Sequence, residues 1–395
     1  MKKALKWVAS VLYGLVMIEV IIMISPFAFY WYSLYAPTLQ GLRRWRATAW
    51  LESFFLPHSV ITTSSFLEIM RWQIGSWAFG LGLLAALICG IQVYGTKLFK
   101  RQAATGWMYK YVRHPFYLSL AVAGFGLLTI WPRMVILVLY LGMLFLYFFL
   151  ARFEEKQVEA AHPEYAGYRR RTGMFLPGNP GGKLFHAFFD WIPSRGWALT
   201  ASSAVIIVLV LGGAVATRRY TIAHTATELM PQERILAIAI WPTPRATIEQ
   251  VVSTALQDQQ VRAALDKESG ASFTAHLLPA DYGMVNMFAD VGTDHRMFSR
   301  VTFRRIASWL GFAVPSVDPQ RKHRIMGTAQ QNYKVVFSRV DEPGDTQLPV
   351  SAITDLSAKM TPVVIVNVGG DAPAVESVLI PPRRSFWGDI TMPMF

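Results

Sequence analysis

The chain has 395 residues, 53% of them apolar and 16% charged, with one cysteine and a formal net charge of +13. That apolarity excludes an ordinary soluble protein and points to several membrane spans. The lone Cys89 reads as a small packed residue and excludes an intramolecular disulfide, cysteine-rich zinc sites and iron–sulfur clusters.

The charge is unevenly placed. Residues 1–217 carry 20 Lys and Arg against 8 Asp and Glu, whereas residues 218–395 carry 18 against 17. The excess belongs to the apolar half, where basic flanks orient spans and attract anionic headgroups. No soluble basic stripe with exposed aromatics is present, so nucleic acid is not an expected partner.

From the amino end, Trp7 to about Leu34 reads as a membrane span kinked at Pro26, too long and too aromatic for a cleaved signal. Residues 36–73, broken by Glu52, Pro57, His58, Glu68 and Arg71, read as an amphipathic element on the membrane, with His58 interfacial and no metal ligand. Ile74 to Phe99 is a clear span with small residues suited to close helix approach. Phe116–Ile130 and Arg133–Leu150, separated by Trp131-Pro132, predict a tight helical hairpin whose first arm is short for a crossing. A Pro/Gly-rich run at 176–182 leads to an interfacial helix over 183–196, and Trp197–Ala216 is a last span.

Beyond Arg218 the texture becomes that of a soluble α+β domain. Strands are expected at 234–241, 334–340 and 362–368, with helices at 247–267 and 296–310. The expected fold is therefore an α-helical multi-span membrane domain of about five spans followed by that α+β domain. Its divisions are 1–72, 73–182 (the core), 183–217 and 218–395. The basic flanks at 97–113 and 152–196 place the motif face in the cytoplasm of a bacterial inner membrane and the carboxyl-terminal domain on the opposite side.

The chemistry concentrates in Tyr109-Lys110-Tyr111-Val112-Arg113-His114-Pro115-Phe116-Tyr117. His114 can bind a ligand or move a proton near neutrality, and Arg113 offers a cationic fork for a carboxylate or phosphate. Pro115 is suited to start a helix with free first-turn amides. After the hairpin come Arg152-Phe153-Glu154-Glu155 and then Glu164-Tyr165-Ala166-Gly167-Tyr168. Adjacent helical residues point about 100° apart, so Glu154 and Glu155 serve two partners. Singly, each residue fits interfacial anchoring; the ordered set is more specific.

That ordered set resembles the isoprenylcysteine carboxyl methyltransferase and phospholipid methyltransferase superfamily of integral membrane enzymes, over roughly residues 74–178. The resemblance implies S-adenosylmethionine as cofactor, bound by Tyr109, His114, Pro115, Tyr117, Glu154 and Tyr165. It implies Arg113, His114 and Glu155 as catalytic residues, Arg113, Arg152 and Glu155 as acceptor-binding residues, and no metal. The partner would be a membrane lipid or lipidated substrate, with a carboxylate or amine acceptor. Two departures, Trp107 in place of a glycine and Ser119 in place of another, reshape the acceptor pocket without removing a ligand. The size of residues 218–395 supports a second reading, a catalytically inactive anchor whose soluble domain binds a protein partner.

Overall fold

In the computed structural model the described residues are 44–57, 60–96, 106–279 and 332–380, apart from 343, 345 and 370–372, together with a few isolated positions before residue 43. The long amino-terminal span, His58, the loop at 97–105 and the helix expected at 296–310 lie outside them. The chain divides into two compact units. One comprises Met1–Glu19, Ile74–Ile130 and Ile136–Ala216; the other comprises Val20–Gln73, Trp131–Val135 and Thr217–Phe395.

The first unit is helical. Helix α1 (Gly75–Gly95) continues a helix that begins at Ser65, where the Ser64 hydroxyl accepts the Leu67 amide, and passes through a π-helical stretch at Ile69–Ile74. Glu68 and Arg71 therefore do not break this segment as the sequence suggested; they lie inside its first turns. Helix α2 (Pro115–Ile130), α3 (Met134–Ala161), α4 (Tyr165–Arg171), α5 (Pro180–Phe189) and α6 (Arg195–Ala223) follow.

Among the described residues three helices are long and apolar enough to cross a membrane: Ser65–Val93, Met134–Ala161 and Arg195–Ala223. The count of about five had added the amino-terminal stretch and α2. With 16 residues, α2 rises only about 24 Å, short of the ~30 Å hydrocarbon core. The interfacial helix starts and ends earlier than expected, and the last span extends seven residues beyond the expected Ala216. Val208 and Leu209 on that span are each 68% exposed, as a helix facing lipid requires.

The closest helix pair is α1 with α2, not the two arms of the expected hairpin. A Cβ on Gly82 would come within 2.5 Å of the Ala123 amide, and one on Gly126 would meet the Phe79 backbone. The glycines let the two backbones touch. Across the other side of α2, Tyr140 and Met143 of α3 lie against Gly124, and the Tyr140 hydroxyl donates to the Ala121 carbonyl at 2.9 Å. Large side chains thus mediate the α2–α3 contact.

The second unit holds a seven-stranded mixed sheet in the order β1-β2-β3-β4-β6-β7, with β5 beside β4. The strands are β1 (Thr227–Met230), β2 (Ile235–Ala239), β3 (Ser272–Pro279), β4 (Tyr333–Glu342), β5 (Thr346–Gln347), β6 (Lys359–Gly369) and β7 (Ala374–Leu379). Among the described strands only β2 and β3 pair in parallel, joined by α7 (Arg245–Gln257) and α8 (Gln259–Asp266). The single helix expected over 247–267 is broken at Asp258, whose carboxylate caps α8 through the Gln260 and Val261 amides. Ile248, Val251, Val252 and Ala255 of α7 pack on Ala237, Ala275 and Val366 of the sheet to form the core.

In this unit Arg218, inside the last turns of α6, donates to the carbonyls of Phe54 and Thr354 at 2.9 and 2.8 Å. Buried Arg133 lies over the rings of Phe54 and Trp131. Fully buried His276 sits on β3 between Ile238 and Val336, with no hydrogen-bond partner at either ring nitrogen among the described residues.

Candidate functional site

The block before α2 is shaped by a pairing that the sequence does not announce. Val112 forms a parallel bridge with Gly173. The Arg113 amide donates to the Gly173 carbonyl at 2.9 Å and the His114 amide to Met174 at 3.0 Å. Gly173 admits no side chain, because a Cβ there would fall on the Leu176 carbonyl. The motif is thereby held as an extended segment until Pro115 starts α2, a position where a missing amide hydrogen costs nothing.

From that frame Arg113 and His114 both reach α3. Arg113 Nε donates to Glu155 Oε1 at 2.6 Å and His114 Nε2 meets the same oxygen at 3.2 Å. Arg169 Nε lies 3.5 Å from Glu155 Oε2. The Arg113 Nη1 group also donates to the carbonyls of Arg169 (2.9 Å) and Thr172 at the end of α4. Arg113 and Glu155 are both buried, so one guanidinium neutralises a buried carboxylate and caps a helix carboxyl terminus together.

One helical turn into α2, the Tyr117 hydroxyl donates to Glu154 Oε1 at 3.0 Å. The Tyr117 ring stacks between those of His114 (centroids 5.7 Å apart) and Tyr147 (5.1 Å). Glu154 and Glu155 thus do face different partners, as their helical offset requires. Tyr109 is buried in the short turn before the motif, and its carbonyl accepts from the Tyr168 hydroxyl. Burial raises the phenol pKa of Tyr109 and Tyr165 well above the usual value and that of Tyr168 in the same direction, so all three remain neutral.

Of the residues singled out in the sequence, Tyr109, Arg113, His114, Pro115, Tyr117, Glu154, Glu155 and Tyr165 meet in this cluster. Arg152 does not join it. Its guanidinium lies over the Phe148 ring at 5.6 Å, on the wall of a cavity of about 730 Å³. Arg113 and Glu155 also line that cavity, whereas Tyr109, His114, Tyr117, Glu154 and Tyr165 do not. The Arg113–Glu155 pair is therefore a partition: an aromatic and carboxylate group on one side, an open cavity on the other.

Tyr147, Arg169 and Gly173 were missed from sequence. Tyr147 lies seven residues before Glu154, hence on the same face of α3, a spacing that could have flagged it. Gly173 carried no such signal. Among the described residues no group of three side chains is placed to hold a metal ion. Comparison of the chain with protein-family models, curated proteins and solved structures gives no match.

Proposed function

We propose that this chain is an integral membrane methyltransferase that uses S-adenosylmethionine and acts on a lipid or lipidated, amphiphilic acceptor at the bilayer interface. The observation that carries the reading is the convergence of three separated motif elements, 109–117, 154–155 and 165–173, on one buried cluster around Glu155. Independent anchoring residues would have no reason to meet there.

The side chains present fit the cofactor. Stacked aromatic faces at His114, Tyr117 and Tyr147 suit a sulfonium or a purine, and a carboxylate at Glu154 suits an ammonium or ribose hydroxyls. Tyr109, Pro115 and Tyr165 complete that side. When bound, the group supplies a methyl carried on a positively charged sulfur, open to in-line displacement. The chain itself has to orient the acceptor and keep water out. Arg113 and Glu155 form the boundary that both partners would share. Each Glu155 oxygen is already paired with a cationic side chain, Oε1 with Arg113 and Oε2 with Arg169, so Glu155 acts chiefly by fixing Arg113 and His114. If the acceptor is an amine, His114 is the better placed base. Residues 97–113 and 152–196 carry five and seven Lys and Arg, more than the other span flanks, which supports a cytoplasmic motif face in a bacterial inner membrane.

The test is calorimetric titration of the detergent-purified protein with S-adenosylmethionine, beside a His114→Ala/Glu154→Ala variant. Binding near 1 μM (about −8 kcal/mol) that vanishes in the variant is expected. A folded wild-type protein that binds nothing overturns the reading.

A further inference from the structure

The 730 Å³ cavity is within the ~300–1,000 Å³ range of ligand sites, and its polarity is graded along its length. One wall is α3 from Leu141 to Arg152; the facing wall is α6 from Arg195 to Ile206. As successive helices of membrane-spanning length, α3 and α6 cross in opposite senses, which brings Arg152 and Lys156 of α3 to the same end as Arg195 of α6. Leu141 and Phe145 share the other with Val205 and Ile206. Each wall covers eleven residue steps, about 16 Å of helix rise. That is close to half the ~30 Å hydrocarbon core, the depth of a single leaflet.

Charge is as one-sided as shape. Five cationic side chains line the cavity against the one carboxylate, Glu155, which Arg113 and Arg169 already neutralise. Arg152, Lys156 and Arg195 are left to face a ligand. Helix α5 closes the charged end with its amino terminus, which has no side-chain cap, and with Leu184 and Phe188, both strongly exposed.

We propose that this cavity binds an acidic-headgroup lipid drawn from one leaflet. Its phosphate or carboxylate meets Arg152, Lys156 and Arg195, and an acyl chain lies between α3 and α6. That such a lipid is also the methyl acceptor rests on the function proposed above; its binding does not.

The test is a titration of the full-length protein in detergent, without S-adenosylmethionine, with fluorescent phosphatidic acid and with phosphatidylcholine of the same chains. Phosphatidic acid is expected to bind at least tenfold more tightly. An Arg152→Gln/Lys156→Gln/Arg195→Gln variant that keeps the wild-type unfolding midpoint loses the preference. Ile206→Trp, which fills the apolar end, weakens both lipids.

Equal affinity for the two lipids, or a preference unchanged in the triple variant, overturns the proposal. So does competition by millimolar glycerol phosphate, which would mark a free-phosphate site. Native mass spectrometry showing a dimer that blocks lipid binding would assign the cavity to a second copy and overturn it equally. Lipid selectivity without any S-adenosylmethionine binding would leave this inference standing and remove the enzyme reading.

Discussion

The buried Arg113–Glu155 pair permits a quantitative test of what holds the site. Both side chains are under 10% exposed and separated by 2.6 Å, so removing the Glu155 charge strands the Arg113 guanidinium in a poorly solvated place, whereas removing Arg113 leaves Glu155 beside His114 and Arg169. Glu155→Gln is expected to cost about 3–5 kcal/mol. Arg113→Met removes the same pair and the two bonds to the Arg169 and Thr172 carbonyls, each worth about 1 kcal/mol more. In the double variant no charge of the pair is left alone, so the summed single costs should overshoot the measured loss by about 2–3 kcal/mol. Reversible unfolding in mixed micelles, with the four proteins at one pH and salt concentration, gives the cycle. Additivity within about 0.5 kcal/mol would show that the pair is not coupled and refute the reasoning.

Four further outcomes are expected. Gly173→Ala displaces the Leu176 carbonyl and breaks the pairing with residues 112–114, so hydrogen exchange at the Arg113 and His114 amides should rise by at least tenfold. Gly126→Leu forces α1 from α2 and should lower the unfolding free energy by more than about 2 kcal/mol; an unchanged value would count against backbone contact there. Tyr117→Phe keeps the stack on Tyr147 but drops the bond to Glu154, and it should weaken S-adenosylmethionine binding by roughly three- to tenfold, about 0.5–1.5 kcal/mol, in calorimetry. His276 is held neutral by complete burial, its pKa pushed down to about 3. The unfolded chain therefore takes up the proton first, and stability present above about pH 6.5 is lost as pH falls toward 3, by up to about 1.4 kcal/mol per pH unit. His276→Leu should flatten that slope in an acid titration of the full chain followed by exchange at β3.

Much of the motif cluster was legible because it is local in sequence terms: two blocks flanking an apolar helical pair must end at the same surface. The hairpin forms, but with large side chains rather than close backbones between its arms, since hydropathy reports that helices are apolar and not which two touch most closely. That choice fell to Gly82 and Gly126, whose effect depends on where Ala123 and Phe79 land. Strand β3 could have been read, since Thr274 and His276 alternate with Phe273 and Ala275. The pattern suggests a half-exposed strand, yet both faces are buried. Asp258 was legible in principle, a carboxylate before an apolar stripe, but the periodicity of 247–267 runs through it. The pairing of residues 112–114 with 173–174 involves backbone alone, and nothing in side-chain chemistry encodes it.

That pairing also sets an order of events during synthesis. Arg113 leaves the ribosome sixty residues before Gly173, and in the interval the guanidinium lacks both α4 carbonyls and the extended segment lacks its partner strand. A nascent chain halted at Ala161 would carry every charged residue of the pair and still have no means of holding them in register. The cluster can therefore assemble only when residues 172–174 fold back over a segment made sixty residues earlier. Quality control acting on this protein would have a late, single checkpoint rather than a gradual one.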